Sequence, residues 1–392
     1  MRVLHVIPSM AARTGGPAAV VAESSAALRE YGVESAIFAT DMAEAASAQR
    51  HGRVRATDLP AAARRVHVRL HRAREPYRLA FAPSLLRSLL REAAGYDVIH
   101  IHSLFLFPQL AAFLAARRAG VPYVVSPRGA LDPWLRRRRR VAKAVAGALW
   151  QAEMLRGASA IHVTSEEEGR LIEDVAPLVP RATIPNGIVW RDFQRVPEGD
   201  AFGSRSRGGG DGPVVLYLGR LSHKKGLDTL IRAFALVARE EPRARLVIAG
   251  PDDEGLRPRL DALAAAEGVG RGVTFAGMLA GDERLAALAA ADVWALPSHS
   301  ENFGLAVVEA MAAGRAVVVS PGVNIARELG EAGAAVVAEA SPARFADAIR
   351  ELIGDPGRRR NLGGRAREYA RRYDWQQIAP QLAAMYEEVS AA

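Results

Sequence analysis

Two glutamates stand eight positions apart in the stretch SENFGLAVVEAMAAG, at Glu301 and Glu309. VWALPS before them reads as a strand, and FGLAVVEAMAAG as a helix closed by Gly314. Glu301 falls in the loop at the strand's carboxyl end. Glu309 interrupts an otherwise apolar helix, about 9 Å along its axis at 1.5 Å per residue. A carboxylate in apolar surroundings is costly unless it has a partner. It can take both hydroxyls of a vicinal diol as paired hydrogen bonds, so the two glutamates read as polyol ligands flanking a diphosphate. The backbone N–H groups of Asn302, Phe303 and Gly304, with Leu305 after them, open the helix beside that site. The plainer readings are a surface position for Glu309 and a dipole-stabilised loop charge for Glu301.

A second constellation supplies the opposite charge. In VVLYLGRLSHKKGLDTLIRAF, Gly219 and Arg220 end a strand and Lys225 sits at the start of a helix. Two cations beside a helix N-terminus suit a diphosphate. The alternative is a pair of surface charges near a turn. Only three of the chain's 52 basic residues are lysines, Lys143, Lys224 and Lys225, and two of the three are adjacent here. Chance is the plain explanation of that pairing; a compact ammonium where an arginine fork does not fit is the functional one.

The first half carries weaker signals. Gly15 and Gly16 follow the first strand and precede a helix that Pro17 can start. They allow close backbone approach to a phosphate or sugar, but the third glycine of a dinucleotide fingerprint is missing. DVIHIH ends a strand with His100 and His102 on one face. His100 reads as a core residue bonded to a carbonyl, and His102 either as a second core residue or as a ligand contact. SPRGALDPW places Arg128 at the end of the next strand.

These residues sit at the carboxyl ends of strands in a regular alternation. Strand patterns at 2–7, 34–40, 66–70, 97–102, 122–126 and 160–164 are separated by helical patterns such as 17–30, 84–94, 109–119 and 137–154. Another set at 214–219, 245–250, 273–277, 293–297, 316–320 and 334–338 alternates with helices at 224–239, 256–267, 282–290, 304–313 and 342–353. Apolar strands alternating with helices mean parallel sheets covered on both faces. The expected fold class is α/β, with two doubly wound Rossmann-like domains facing a cleft. Residues 1–194 form one domain, the Gly- and Ser-rich 195–213 a linker, and 214–370 a second domain. Residues 371–392 form a C-terminal helix that can cross back to the first domain.

The chain has 392 residues, no cysteine and a net charge of +9. Disulfide and thiolate chemistry are excluded. Residues 1–190 hold 26 Lys+Arg against 16 Asp+Glu, and residues 191–392 hold 26 against 27. The basic first half suits an anionic partner. Its densest stretch, PWLRRRRRVAKAVAGALW from Pro133 to Trp150, reads either as a solvated charge run or as an element drawn to anionic lipid between Trp134 and Trp150. No apolar run reaches membrane-spanning length, and the short apolar start reads as a strand rather than a leader. A cytoplasmic protein, peripheral on the membrane if the lipid reading holds, is expected.

Together the motifs resemble the retaining glycosyltransferases of family 4 with the two-domain GT-B architecture. The Glu–seven residues–Glu pattern from Glu301 to Glu309 is the most specific element. GRLSHKKGLD, TGGP and IPNGI are similar to the family's diphosphate clamp, N-terminal glycine loop and entry to the second domain. SPRGALDPW is similar to a subgroup found in exopolysaccharide and lipopolysaccharide assembly. The resemblance implies transfer of a sugar from a nucleoside-diphosphate sugar to a glycan or lipid-linked acceptor. Arg220 and Lys225 would neutralise the leaving diphosphate, Glu309 would hold the ribose, and Glu301 with Asn302–Gly304 the transferred sugar. Gly15 and Gly16 would approach the phosphate or acceptor. No cofactor and no metal is implied, and no Asp-x-Asp triplet is present. Many members carry a histidine where this chain has Arg128, which leaves Arg128 as a contact for an acceptor phosphate or the donor sugar. A nucleotide-sugar 2-epimerase shares the fold. A basic nucleic-acid-binding protein would fit the charge, but no nucleic-acid motif accompanies it, and a pyridoxal-dependent phosphorylase would be longer.

Overall fold

The computed structural model describes residues 1–12, 16–43, 52–132, 150–195 and 212–391. The chain divides into two compact units, Met1–Gly187 with Trp375–Ala392, and Ile188–Asp374. Each unit is built on one parallel sheet.

In the first unit the strands are β1 (Arg2–Ser9), β2 (Glu34–Thr40), β3 (His67–His71), β4 (Val98–His102), β5 (Tyr123–Ser126), β6 (Ala160–Val163) and β7 (Arg181–Thr183). Their order is β3-β2-β1-β4-β5-β6-β7, with every pair parallel. β1, β2, β4, β5 and β6 are buried almost throughout because helices cover both faces of the sheet. β7 was not expected: its three residues, Arg-Ala-Thr, carry no apolar run, and only pairing with β6 defines it. The C-terminal helix Trp375–Ala391 belongs to this unit and packs on the helix Gly16–Leu28. Trp375 Nε1 donates to Glu23 at 3.0 Å.

In the second unit the strands are β8 (Val214–Leu218), β9 (Arg245–Ala249), β10 (Val273–Gly277), β11 (Val293–Leu296), β12 (Ala316–Val319) and β13 (Val336–Val337). They run β10-β9-β8-β11-β12-β13, again all parallel. The helix Leu227–Glu240 follows from its sequence: Leu227, Leu230, Ile231, Phe234 and Val237 recur at helical spacing and are all buried. That face packs against the helix Pro342–Gly354. Trp294 and Tyr217 fill the middle of the sheet.

Both sheets reverse their winding direction once, between β1 and β4 and between β8 and β11. The loops leaving such neighbouring strands diverge to opposite faces and open a crevice at the carboxyl ends, where ligands of this fold class bind. Of the expected segments, 196–211 and most of the helix at 137–154 lie outside the described residues; the structure shows the helix Ala152–Arg156.

Candidate active site

The crevice between β8 and β11 brings the two charged motifs together. The chain leaves β8 through Gly219 and Arg220, makes a short turn over His223–Lys225, and enters the helix at Leu227. Gly226 has φ +66°, and a side chain there would overlap the Pro297 carbonyl after β11. The turn is pinned to the β11 loop by His299 N–H and Ser298 Oγ–H, both donating to the Lys224 carbonyl, at 2.7 and 2.9 Å. Tyr217 Oη–H donates to the Arg220 carbonyl at 2.8 Å.

Glu301 lies on the facing loop. Its N–H donates to the Gly322 carbonyl and its carbonyl accepts from Asn324 N–H, so the loop after β12 fixes its backbone. Its carboxylate is in direct contact with the Lys225 ammonium, and Lys224 Nζ lies 3.9 Å from the same oxygen. Burial alone would raise the Glu301 carboxyl, but Lys225, Lys224 and Arg220 outweigh it and hold it at about 2. Burial lowers the Lys225 ammonium, and Glu301 opposes that. The half-buried Arg220 side chain has no ion pair or hydrogen bond among the described residues. Arg220, Lys224 and Lys225 against Glu301 leave two positive charges over, which suits a diphosphate.

The helix that carries Glu309 runs from Leu305 to Ala312, with Gly304 at φ +82° as its N-cap. Gly304, Leu305 and Ala306 therefore hold the first free N–H groups, whereas Phe303 is buried and packs edge-on to Tyr373 at 5.5 Å. Its side chain serves the core, so only its backbone belongs with the site. Glu309 is enclosed rather than superficial, and Arg284 Nη1 donates to its Oε1 at 2.6 Å. Burial raises the Glu309 carboxyl; Arg284 pulls it part of the way back.

The first unit holds a different constellation. Strand order sets His5 beside His100 and His102 beside Ser126. Two fixed ends determine where the protons lie. Arg128 can only donate, and does so from Nη2 to His102 Nδ1 at 3.2 Å; His102 Nε2–H then donates to His5 Nδ1 at 3.0 Å. The Ile184 carbonyl can only accept, and does so from His162 Nε2–H at 2.8 Å. His162 Nδ1 then takes the Ser126 proton, His100 Nε2–H donates to Ser126 Oγ, and Tyr386 Oη–H donates to His100 Nδ1 at 2.7 Å. Burial, then Arg128, pulls His5 and His162 down to about 3, and burial holds His100 and His102 well below the usual imidazole range. All four rings are neutral.

One open reading is decided here and one expectation is corrected. His102 is 2% exposed with both nitrogens occupied, so it reaches a ligand only through Arg128. His100 bonds a tyrosine and a serine rather than a carbonyl. His5, His100 and His102 do place nitrogens within 4.8 Å of one another, a spacing a metal ion can use. The hydrogen-bond chain occupies every one of those nitrogens except His5 Nε2, and the Arg128 cation touches the cluster. Arg128 has φ +54°, donates from Nη1 to Asn186 Oδ1 at 2.8 Å, and has no carboxylate bonded to it among the described residues. Gly16 begins the helix Gly16–Leu28. Gly15, like the basic stretch 133–149, lies outside the described residues.

The family described as "Glycosyl transferases group 1" matches residues 204–369, and the "Glycosyl transferase 4-like domain" matches residues 15–187. A D-inositol 3-phosphate glycosyltransferase of Acidothermus cellulolyticus is 32% identical over 333 residues, 80% of this chain and 72% of the relative. The chain belongs to the family 4 glycosyltransferases. A second relative of the same description, from Frankia alni, is 33% identical over 322 residues, 76% of each chain.

Solved structures agree on the fold of this glycosyltransferase. Sucrose-phosphate synthase from Thermosynechococcus elongatus superposes with a TM-score of 0.77 at 20% identity, covering 100% of this chain and 99% of that one. Anabaena Alr3699/HepE in complex with UDP-glucose gives 0.76 at 20% identity and 99% of both chains. Within the glycosyltransferase's second unit, Arg220, Lys225, Glu301 and the helix start at Gly304 meet at one crevice. Arg284 escaped sequence reasoning, and Lys224 was given no role separate from that of Lys225. Lys224 was visible beside Lys225, whereas Arg284 had no motif to announce it.

Proposed function

We propose that this glycosyltransferase moves a sugar from a nucleoside-diphosphate sugar to a glycan or lipid-linked acceptor in cell-surface polysaccharide assembly, with retention at the anomeric carbon. The observation that carries the donor half is the excess of two positive charges at Arg220, Lys224 and Lys225 over Glu301. Negative charge develops on the diphosphate as the glycosidic bond breaks, and fixed cations stabilise that transition state more than the ground state. They do so without a metal or cofactor. Glu309 takes the ribose hydroxyls, while Glu301 and the backbone at Asn302–Leu305 take the transferred sugar. Gly219, between β8 and Arg220, admits the diphosphate close to the backbone; Gly15 and Gly16 are the first unit's candidates for close approach to a phosphate or acceptor. Retention follows when the acceptor hydroxyl attacks from the leaving-group face and its proton passes to the departing phosphate. HepE, a structural neighbour, was solved with UDP and with UDP-glucose, which supports a nucleotide-sugar donor.

Arg128 favours a second reading of the acceptor. A guanidinium without a bonded carboxylate suits a phosphorylated acceptor, and the sequence relatives are named for inositol 3-phosphate. No helix among the described residues is long and apolar enough to cross a membrane. A cytoplasmic enzyme held to anionic lipid through Trp134–Trp150 fits the basic stretch.

The test is a thermal-shift panel of UDP, GDP, ADP and their sugars, since a ligand that binds the native state raises its melting point. The donor that binds is then incubated with and without glycan, lipid-linked and phosphorylated acceptors. Turnover only with acceptor, giving a product of the donor's anomeric configuration, supports the reading. Epimerised donor formed without acceptor, or no shift with any nucleotide, contradicts it.

A further inference from the structure

Arg284 lies on the helix Gly281–Ala290, and Glu309 on the helix Leu305–Ala312. The 2.6 Å bond from Arg284 Nη1 to Glu309 Oε1 joins side chains that are 32% and 13% exposed. It is shorter than the usual range for a charge-assisted hydrogen bond. The other carboxylate oxygen, Oε2, has no partner among the described residues and is not sealed from solvent. Arg284 Nε is buried with no partner among the described residues, and the guanidinium lies 6.0 Å from the Phe193 ring centroid. The pair is therefore held on one side and open on the other.

We propose that Arg284 is a positioning residue for donor recognition: it locks one oxygen of Glu309 so that the other is presented, already oriented, to the ribose diol of the nucleotide. The inference rests on the reading of Glu309 as the ribose ligand. Two effects follow from the geometry. A free glutamate side chain loses rotamer entropy when it is fixed, and here that ordering precedes binding. The cation also offsets the burial that pushes the Glu309 carboxyl up, and an ionised carboxylate offers acceptor sites to both hydroxyls where a protonated one does not. Arg284 touches neither sugar nor phosphate in this arrangement. The competing role is a structural latch between two helices, which would act on every nucleotide alike.

The experiment measures the affinities of UDP, GDP and ADP and of their 2′-deoxy counterparts for the full chain and for Arg284→Gln, Arg284→Lys and Glu309→Gln, with melting temperatures recorded alongside. For the nucleotide that binds, the unaltered chain should prefer the ribo form about tenfold or more, the size of one hydrogen bond to a charged group. Arg284→Gln should reduce that preference to about twofold while the 2′-deoxy affinity stays within about twofold of its starting value. Arg284→Lys keeps the charge but not the fork, and should give an intermediate preference. Equal weakening of ribo and deoxy forms in both Arg284 variants means a latch and overturns the proposal, as does an unchanged preference. If Glu309→Gln itself leaves the preference intact, the ribose reading of Glu309 falls. If no nucleotide binds the unaltered chain, the donor site falls.

Discussion

Glu301 and Lys225 form a direct, enclosed ion pair at the carboxyl ends of β11 and β8, and Lys224 Nζ stands 3.9 Å from the same Glu301 oxygen. The pair joins the two loops of the crevice. It also keeps Lys225 in place for a diphosphate, which would share the ammonium with Glu301 rather than recruit it from solvent. Arg220, whose side chain has no ion pair or hydrogen bond among the described residues, completes the cationic side.

Lys225→Ala should therefore abolish donor binding out of proportion to its effect on the fold. Truncating one partner of an enclosed charge pair costs about 2–5 kcal/mol, so nucleoside-diphosphate affinity should fall about 100-fold or more while the far-ultraviolet dichroism spectrum is unchanged. Calorimetric titration with the nucleotide that binds the unaltered protein checks this. A Kd within threefold of the unaltered value would remove Lys225 from the clamp.

Gly226→Ala tests how the clamp is held. A Cβ at φ +66° would be strained, and it would overlap the Pro297 carbonyl. Because that carbonyl is backbone, relief must come from moving the turn that carries Lys225. Denaturant unfolding should show a loss of roughly 2–4 kcal/mol, accompanied by weaker nucleotide binding. A variant as stable as the unaltered protein would show that the turn is not constrained in this way.

The buried histidines make the first unit acid-sensitive. His5 and His162 fall from 6.5 unfolded to about 3 folded, and His100 and His102 are lowered well below 6.5, burial being the main cause. Between those values the unfolded chain binds protons that the folded unit refuses. Stability is thus full above pH 6.5 and is lost as pH falls towards about 3. Every tenfold loss of proton affinity on folding is worth about 1.4 kcal/mol, so the melting temperature of this unit should drop on the order of 10 °C between pH 7.5 and pH 5. Scanning calorimetry across that range should show the fall, and His162→Gln should flatten it. A melting temperature independent of pH would mean that the rings are charged or exposed.

Much of this was readable before the fold was known, for a physical reason. Glu301, Glu309, Arg220 and Lys225 sit in strand–loop–helix segments whose periodicity alone places them at the carboxyl ends of parallel strands. Arg284 was not readable. It stands between Glu283 and Leu285 in an ordinary short helix, and its partner lies 25 positions away on another helix. The histidine chain was half readable: His100 and His102 share a strand, but His5 and His162 join them only through the strand order β1-β4-β5-β6. Tyr386 meets His100 across 286 positions, a contact that only the docking of the last helix creates. The fate of His102 was open for the same reason, since burial of a strand end depends on what packs over it.

The most direct test of the donor site is the structure of this glycosyltransferase crystallised with the nucleoside diphosphate that stabilises it most. The diphosphate should lie within hydrogen-bonding distance of the Arg220 guanidinium and Lys225 Nζ, with the ribose hydroxyls on Glu309 and Arg284 still bonded to its other oxygen. A nucleotide bound away from the β8–β11 crevice, or bound there with Glu309 turned from the ribose, would contradict the account.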